Sequence, residues 1–410
     1  MKLPSPLSLG ALPILSLLTR LTTAATLTQI TTPFGPNPRN VSFHLYTPDT
    51  LAATPPILVN PHWCHGTAEA AFAGSRWATL ADAHGFVVIY PGSSPASAAD
   101  QCWDVSSAET LTHDGGGDSL GIVSMVRWAL EEFDADPERV FVTGVSSGGM
   151  MTQVLLGAYP DVFAAGAAFA GVPFGCFAPE GENAGEFGYW NGECATGEVT
   201  HAPEEWGGLV RAAYPGYEGW RPKVQIFHGT KDEVVSYVNH GEGVKLWTNV
   251  LGLSDAPVSV VPDTPLAGWT KSVYGPEGRF EAYSAEGVPH DIKVQEDTVM
   301  AFFELNCTSE CFSWGQGTAP SGGQPNASSS PVRSSSTFST ATAPGATFTS
   351  TAAVTTTSTP VACETKTVQG GVPLWSQCGG MGYVGATACA NGECTSYNEY
   401  YAQCVPTPAC

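Results

Sequence analysis

The sequence predicts an α/β fold in which a mainly parallel sheet is covered by helices on both faces. Between residues 26 and 305, short apolar stretches rich in β-branched side chains alternate with longer stretches whose apolar residues recur at helical spacing. This alternation is typical of parallel strands joined by crossover helices. The pentapeptide Gly-Val-Ser-Ser-Gly at 144–148 stands between a strand and a helix of this pattern, which predicts a sharp turn at the end of that strand.

The individual elements follow from local patterns. Strands are predicted, in chain order, at residues 56–60, 86–90, 140–143, 163–170, 224–227 and 280–284. Helices are predicted at 68–84, at 119–132 and, after the pentapeptide, around 150–156. Gly85 is the expected C-terminal cap of the first helix. Residues 91–92 are expected to close the second strand, and Asp118 is the expected N-cap of the second helix.

Composition restricts both the partners and the compartment. The chain has 16 Lys and Arg against 38 Asp and Glu, a formal net charge of −22, so there is no basic surface for nucleic acid. The 12 cysteines indicate disulfides and an oxidising compartment. Residues 1–25 combine a short basic start, an apolar run and small residues, which predicts a signal peptide and a secreted, extracellular protein. That run is too short to span a bilayer, and no membrane partner is expected.

The composition divides the chain into four segments. After the signal peptide (1–25) comes an α/β domain at 26–312, which is long enough to bury a large core. Residues 313–362 consist mostly of Ser, Thr, Pro, Ala and Gly, which predicts an O-glycosylated linker. Residues 363–410 are rich in cysteine and too few to fold by apolar burial alone, which is typical of a small disulfide-rich module.

Ser146 is the predicted nucleophile. In a turn of the form strand, Gly-x-Ser-x-Gly, helix, the serine hydroxyl stands exposed where a base can reach it. Gly144 and Gly148 flank Ser146 at −2 and +2, where a β-carbon would crowd the turn, whereas Ser147 has Val145 at −2. The register of the motif therefore selects Ser146.

Chain order predicts the acid that orients the base. In the α/β-hydrolase fold the order is Ser, then Asp or Glu, then His. The acid lies in a loop at the carboxyl end of a strand, and Asp232 lies in such a loop after the strand at 224–227. Asp232 is therefore the predicted acid, with Glu233 as the nearest rival.

The same order predicts the base. The histidines that follow Ser146 are His201, His228, His240 and His290. His240 comes only eight residues after Asp232, in a predicted helix, where we expect a solvated surface residue. His290 follows the strand at 280–284 by a short loop that places it above the sheet edge, and it is the predicted base.

Two backbone N–H groups are expected to stabilise an oxyanion beside the nucleophile. One belongs to Ser147, at the start of the helix that follows Ser146. The other should come from the loop after the strand at 56–60, where Cys64 is the first choice and Trp63 the alternative. For the side chain of Cys64, a disulfide is a better interpretation than a reactive thiol.

Neither of two further patterns predicts a phosphate or metal site. The stretch His-Asp-Gly-Gly-Gly-Asp at 113–118 lacks the Gly-Lys-Ser/Thr of a phosphate-binding loop, so a tight turn followed by a helix cap is predicted. Cys307 and Cys311 have no matching pair nearby, so a local disulfide or pairing elsewhere is predicted instead of a metal site. We expect no metal and no organic cofactor.

Several motifs occur together in the α/β domain: Cys-Trp-Asp-Val-Ser-Ser at 102–107, Leu-Thr-His at 111–113, Gly-Gly-Gly-Asp-Ser at 115–119, the nucleophile turn at 144–151, and the stretches at 159–166 and 171–173. With them, residues 26–305 resemble the fungal members of carbohydrate esterase family 1, the acetylxylan esterases and type-B feruloyl esterases. The resemblance implies an α/β-hydrolase fold and a serine esterase whose triad is Ser146, Asp232 and His290. It also implies the disulfides Cys64–Cys102 and Cys176–Cys194. The turn reads Ser-Gly-Gly where many relatives have Ser-Gly-Ala.

The C-terminal segment carries a second set of motifs, Trp-Ser-Gln-Cys-Gly-Gly-Met-Gly-Tyr at 375–383 and Tyr-Tyr-Ala-Gln-Cys at 400–404. It resembles a fungal family 1 carbohydrate-binding module. The resemblance implies a flat aromatic strip that stacks on cellulose, with two hydrogen-bonding residues nearby: Trp375, Tyr400, Tyr401, Asn398 and Gln403. The implied disulfides are Cys378–Cys394 and Cys389–Cys404, with Cys363 and Cys410 as an extra pair. The spacing between Cys389 and Cys394 is one residue shorter than usual.

These observations predict a secreted, monomeric serine esterase that removes acetyl groups from xylan in plant cell walls and is targeted to cellulose by its C-terminal module. A feruloyl esterase acting on arabinoxylan is the first alternative. A cellulose-binding protein with an inactive esterase fold is the alternative of another class. The acyl pocket would separate the first two, and Trp190 is a candidate for its wall, although a core position is equally consistent with the sequence.

Overall fold

The structure is a computed structural model, and it describes residues 26–97, 100–179, 181, 184–315, 371, 377–379, 386–390, 393–398 and 401–405. The predicted signal peptide, nearly all of the predicted linker, and Trp375 and Tyr400 lie outside these residues.

The α/β domain contains ten strands and eight helices in its described part. The strands are β1 (Thr28–Ile30), β2 (Ser42–Tyr46), β3 (Ile57–Val59), β4 (Val87–Gly92), β5 (Val140–Val145), β6 (Ala165–Phe169), β7 (Lys223–Gly229), β8 (Ser259–Pro262), β9 (Trp269–Tyr274) and β10 (Phe280–Ala285). The helices are α1 (Ala68–Ala73), α2 (Trp77–His84), α3 (Gly117–Glu132), α4 (Ser147–Ala158), α5 (Gly192–Thr196), α6 (Pro203–Ala213), α7 (Val238–Val250) and α8 (Glu296–Phe303).

The ten strands form one twisted sheet in the order β1-β2-β4-β3-β5-β6-β7-β10-β9-β8. The six central strands, from β4 to β10, pair in parallel. The two strands at each edge pair antiparallel with their neighbours. The predicted mainly parallel sheet is therefore confirmed. The antiparallel edge strands were not among the predicted elements.

Both faces of the central strands are buried. Successive side chains of a strand point to opposite faces, and in β5 both sets contact apolar clusters. Val140 and Val142 of β5 belong to one apolar cluster, which also contains buried residues of α3, α4, α6 and α7. Phe141 belongs to the other cluster, with residues of α1, α2 and α8. A short apolar run such as 140–142 therefore faces protein on both sides, as expected for a central parallel strand.

Two predicted boundaries were wrong. The structure has two helices where a single helix was expected at 68–84: α1 ends at Ala73, and α2 begins at Trp77. The hydroxyl of Ser75 donates to the Ala71 carbonyl at 2.8 Å, the acceptor that the Ser75 N–H would use in a continuous helix. Gly85 caps α2 in the left-handed conformation, as predicted. Strand β4 continues through residues 91–92, which pair with β2.

Asp118 is not the N-cap of α3, contrary to the prediction. The helix begins at Gly117, two residues before the predicted start at Ser119, and its N-cap is Gly116. Gly116 and Gly117 have φ of 122° and 66°, which glycine adopts without strain. Asp118 lies buried in the first turn, where its Oδ2 accepts the Asp104 N–H at 2.9 Å. A tertiary contact thus replaces the expected cap.

Three disulfides link cysteines of the α/β domain. The pairs Cys64–Cys102 and Cys176–Cys194 are those implied by the resemblance, and Cys307 pairs locally with Cys311.

The described part of the C-terminal segment forms a small antiparallel sheet in the order β11 (Gln377–Gly379), β13 (Tyr401–Val405), β12 (Glu393–Asn398). Tyr401 and Gln403 lie on β13, and Asn398 ends β12. Cys389 and Cys394 are both disulfide-bonded, as the expected pairings require. Their partners lie outside the residues whose side chains the structure describes.

Candidate active site

Ser146 lies on a strained turn between β5 and α4. Its backbone has φ 56° and ψ −124°, a region that non-glycine residues rarely adopt and that is found at functional sites. A β-carbon on Gly144 would lie 2.5 Å from the Gly148 carbonyl oxygen, so the turn requires glycine there. The Ser146 N–H donates to the Phe169 carbonyl of β6 at 2.9 Å. The sheet therefore holds this backbone in place and presents the hydroxyl above its carboxyl edge.

His290 lies in the loop after β10, beside Ser146. Its Nε2 is 2.9 Å from the Ser146 Oγ, and its Nδ1 is 2.8 Å from Oδ2 of Asp232. Because a carboxylate only accepts, Nδ1 carries the proton and Nε2 is free to accept from the serine hydroxyl. The Lys231 N–H donates to the Val288 carbonyl at 3.0 Å, which ties the loop of His290 to the loop of Asp232.

The Asp232 side chain is fully enclosed and is surrounded by donors. Its Oδ1 accepts the backbone N–H groups of Val234 and Val235, at 3.0 and 2.7 Å. The Nε2 of His228 is 3.1 Å from Oδ2. Burial by itself would raise the pKa of Asp232, but the hydrogen bonds from His228 and His290 outweigh it and hold that pKa below its usual range. The group facing His290 is therefore a carboxylate.

The rival residues do not reach Ser146. Glu233 accepts the backbone N–H of His290 at 3.1 Å and makes no hydrogen bond to its ring. His240 lies on α7, as predicted, but the expectation of a solvated surface residue was wrong. Its ring stacks on Tyr237 at 5.1 Å, its Nε2 is enclosed without a partner among the described residues, and burial lowers its pKa to about 3.

Comparison with known proteins identifies the family. Residues 41–181 match the esterase PHB depolymerase family, and residues 374–401 match the fungal cellulose binding domain. Acetylxylan esterase A of Emericella nidulans is 46% identical over 282 residues, which span 68% of this chain and 90% of that protein. Feruloyl esterase B of Talaromyces stipitatus is 39% identical over 395 residues, 93% of this chain and 95% of that protein.

The chain belongs to the family of these fungal acetylxylan and feruloyl esterases. A solved structure, acetyl xylan esterase from Aspergillus awamori, is 41% identical with a TM-score of 0.65, and the alignment covers 68% of this chain and 99% of that one. Acetylxylan esterases and feruloyl esterases are both carboxylic ester hydrolases, which confirms the predicted enzyme class. The similarity to the solved esterase structure confirms the α/β-hydrolase fold.

In the esterase, Trp103 links the two segments that carry the candidate oxyanion donors, the loop after β3 and the start of α4. The Trp103 N–H donates to the Ser147 Oγ at 2.8 Å, and the indole Nε1 donates to the His62 carbonyl at 2.8 Å. The disulfide between Cys64 and Cys102 adds a covalent link between the same segments. Among the described residues, neither the Cys64 N–H nor the Ser147 N–H donates a hydrogen bond, so both are free for an acceptor from outside.

A cavity of the esterase opens beside these loops and has an aromatic wall. Its lining residues include Cys64, Trp103, Ser147, Phe177, Tyr189 and Trp190. Trp190 is 47% exposed, so it is a wall residue and not part of the core. The segment that carries Tyr189 and Trp190 is held in place by a hydrogen bond, because Asp104 Oδ1 accepts the Gly188 N–H at 3.1 Å.

Three residues of the esterase site were not singled out from the sequence. His228 donates to Asp232, His62 contacts the Trp63 carbonyl, and Trp103 links the two segments that carry the candidate oxyanion donors. His228 directly follows the predicted strand at 224–227, four residues before Asp232, but that position does not reveal which way its ring points. Trp103 lies in the motif at 102–107, whose spacing carries no mark of the contact.

Among the described residues, no group of three or more His, Cys, Asp or Glu could hold a metal ion, and no helix is long and apolar enough to cross a bilayer.

Proposed function

We propose that the protein is a secreted serine esterase that removes acetyl groups from xylan, with Ser146 as nucleophile, His290 as base and Asp232 as the orienting acid. The observation that carries this proposal is the hydrogen-bonded row from the Ser146 Oγ through the His290 ring to the Asp232 carboxylate. This row is the arrangement that activates a serine hydroxyl for acyl transfer.

The reaction proceeds in two halves. The Ser146 Oγ attacks the ester carbonyl carbon while its proton moves to the His290 Nε2. Asp232 stabilises the imidazolium, and the N–H groups of Cys64 and Ser147 stabilise the oxyanion. The tetrahedral intermediate then collapses, the sugar oxygen leaves with the proton from His290, and an acyl-serine remains. In the second half His290 deprotonates a water molecule, which attacks the acyl-serine and releases the acid and free Ser146.

Acetate is the proposed acyl group and ferulate the second candidate. Acetylxylan esterase A of Emericella nidulans supports acetate, with 46% identity over the α/β domain. Feruloyl esterase B of Talaromyces stipitatus supports ferulate, because it aligns with 93% of this chain, and the aromatic cavity wall has the chemistry that an aromatic acyl group would contact. A protein that only binds cellulose would not need the hydrogen-bonded row at Ser146.

The proposal extends to the whole chain. The match of residues 374–401 to the fungal cellulose binding domain supports binding to cellulose through Trp375, Tyr400, Tyr401, Asn398 and Gln403. We further propose the domain bounds 1–25, 26–312, 313–362 and 363–410, secretion through the N-terminal segment, and action as a monomer on acetylated or feruloylated xylan.

The test of the substrate compares two released acids. Purified enzyme is incubated with acetylated xylan and with methyl ferulate at matched concentrations, and acetate and ferulate are quantified. The Ser146→Ala variant is the blank for both. Acetate release is expected to exceed ferulate release. Dominant ferulate release would transfer the proposal to the second candidate, and release of neither acid would contradict the esterase proposal.

A further inference from the structure

We propose that His62 is a positioning residue for the oxyanion hole: its Nδ1–H holds the Trp63 carbonyl so that the next N–H group, that of Cys64, faces the oxyanion. This inference rests on the proposed function, in which Cys64 supplies one of the two oxyanion donors. It adds a residue that does not touch the substrate and acts through a neighbouring peptide group.

The contacts of His62 fix its tautomer. The ring is almost fully buried, and its Nε2 accepts the Ser93 N–H at 3.1 Å. Because that nitrogen accepts, the ring proton of a neutral histidine lies on Nδ1. Nδ1 is 2.7 Å from the Trp63 carbonyl oxygen, to which it donates. Burial lowers the pKa of His62 to about 4, so the ring stays neutral over the range in which a histidine base is active.

The Trp63 carbonyl controls the direction of the Cys64 N–H. The two groups belong to one planar trans peptide, in which the N–H and the C=O point in opposite directions. The Trp63 oxygen receives two donors, the His62 Nδ1–H and the Gly66 N–H at 3.0 Å. With this oxygen held, the Cys64 N–H can point only to the opposite side. Cys64 and Ser147 line the same cavity, which places the two candidate donors beside a common space.

His62 also joins this peptide to the rest of the site. Its own carbonyl accepts the Trp103 indole N–H at 2.8 Å, and its ring packs on the Trp103 ring with centroids 5.0 Å apart. Trp103 in turn donates to the Ser147 Oγ. The position of the loop relative to α4 is therefore set by Trp103 and the Cys64–Cys102 disulfide, whereas the orientation of the Trp63–Cys64 peptide is set by the ring of His62 together with the Gly66 N–H.

Two variants separate the two sides of the ring. In His62→Asn the amide nitrogen can take the place of Nδ1 and still donate to Trp63, whereas the contact with Ser93 is lost. In His62→Gln the amide can take the place of Nε2 and still meet Ser93, whereas the donor to Trp63 is lost. We expect His62→Gln to lower kcat by roughly 30-fold or more, because a misdirected donor approaches the cost of a missing one. The KM should stay within about threefold, and His62→Asn should keep most of the parent kcat.

A transition-state analogue supplies a readout that simple destabilisation does not move. Phenylboronic acid forms a tetrahedral adduct with an active serine, and one of its oxygens occupies the oxyanion position. Its inhibition constant should rise in His62→Gln in parallel with the loss of kcat/KM and stay near the parent value in His62→Asn. His113→Gln, a largely buried histidine with its own carboxylate partner Asp161, controls for the general cost of replacing a buried histidine.

The outcomes are distinct. Equal kcat losses in His62→Gln and His62→Asn, or no loss in either, would overturn the role of His62 while Ser146→Ala still abolishes turnover. Parent-like activity in Ser146→Ala would instead overturn the proposed function itself. If His62→Gln does not fold, Gly66→Ala replaces it, because the added β-carbon would lie 2.9 Å from the Trp63 oxygen and displace the same carbonyl. Gly66→Ala should show the same loss of kcat and of boronate affinity, and parent-like values would overturn the inference.

Discussion

At the scale of single residues, Asp232 and Glu233 are adjacent carboxylates that make different contacts with His290. Asp232 accepts the ring Nδ1–H, and Glu233 accepts the backbone N–H. Only the first contact fixes the tautomer in which the unprotonated Nε2 faces the Ser146 hydroxyl. The two carboxylates are therefore distinguished by the part of His290 that each contacts.

A pair of isosteric substitutions tests this difference. Asp232→Asn should lower kcat by about 10³-fold or more, because an amide can donate to His290 and leave the wrong nitrogen protonated. Glu233→Gln should change kcat only a few-fold, because the glutamine oxygen can still accept the His290 N–H. Steady-state kinetics on a chromogenic acetate ester would measure both. A larger loss in Glu233→Gln than in Asp232→Asn would exchange the two roles.

At this scale the sequence predicted the residues of the row but not the residues that hold them. Ser146 follows from a motif with strict glycine positions, and Asp232 and His290 follow from chain order and their place after strands. The ring of His228 contacts the Asp232 carboxylate, and the ring of His62 contacts the Trp63 carbonyl and the Ser93 N–H. The fold of the sheet and its loops brings these groups together. Neither contact leaves a trace in local spacing, so the sequence could not assign it.

At the scale of elements, the first turn of α3 carries a buried carboxyl group without a full set of partners. Asp118 Oδ2 accepts the Asp104 N–H, and Oδ1 has no partner among the described residues. Burial, reinforced by the charge of Asp104, raises the pKa of Asp118 from its usual value near 4 to about 7. Between about pH 4 and 7, Asp118 therefore keeps its proton in the folded state and loses it in the unfolded state.

The stability of the domain should depend on pH through this group. A raised pKa contributes stability that is complete below the unfolded pKa near 4 and is lost as pH rises to about 7, at up to about 1.4 kcal/mol per pH unit. Asp118→Asn does not titrate, so its free energy of unfolding should improve relative to the parent between about pH 4 and 7, and the difference should stay constant above about pH 7. Denaturant unfolding at several pH values, with the exposed Asp49→Asn as control, measures the difference. A difference that is constant with pH would contradict the assignment.

The contact between α4 and the loop after β3 depends on a glycine. A β-carbon on Gly148 would lie 2.1 Å from the Pro61 carbonyl oxygen, so the helix and the loop would have to separate. Gly148→Ala should lower both the melting temperature and kcat. Gly208 is the matched control, because a β-carbon there meets nothing within 4 Å and alanine should stabilise α6 by about 0.5–1 kcal/mol. Thermal melts and kinetics on both variants test the contact, and a Gly148→Ala protein as stable and active as the parent would refute it.

The elements show where sequence patterns suffice. The central parallel strands were predicted because short, mostly apolar runs mark them, with β-branched residues in β3, β4, β5 and β7. The break between α1 and α2 falls at Gly74, which caps α1, and the start of α3 depends on two glycines and a tertiary contact. Glycine can cap a helix or lie within it, and a tertiary contact joins residues distant in sequence, so local patterns do not decide either boundary.

At the scale of the whole molecule, the catalytic and the C-terminal segments should act independently. Deleting residues 363–410 removes Trp375, Tyr400 and Tyr401 and leaves the hydrogen-bonded row of Ser146, His290 and Asp232 untouched. Hydrolysis of a small soluble ester should then be nearly unchanged. Retention on crystalline cellulose should be lost, and activity on insoluble cell-wall material should fall because tethering raises the local enzyme concentration. A cellulose pull-down of the full and shortened chains measures this, and equal retention would place cellulose binding elsewhere.

The central claim is that Ser146 is the activated nucleophile, and covalent labelling tests it most directly. A fluorophosphonate probe phosphonylates a serine only when a base and an oxyanion hole activate it, and mass-spectrometric peptide mapping identifies the labelled residue. The account predicts one label, on Ser146 and not on the adjacent Ser147, and no label in a folded Ser146→Ala variant that has lost esterase activity. A label on another serine, or labelling and turnover that persist in Ser146→Ala, would contradict it.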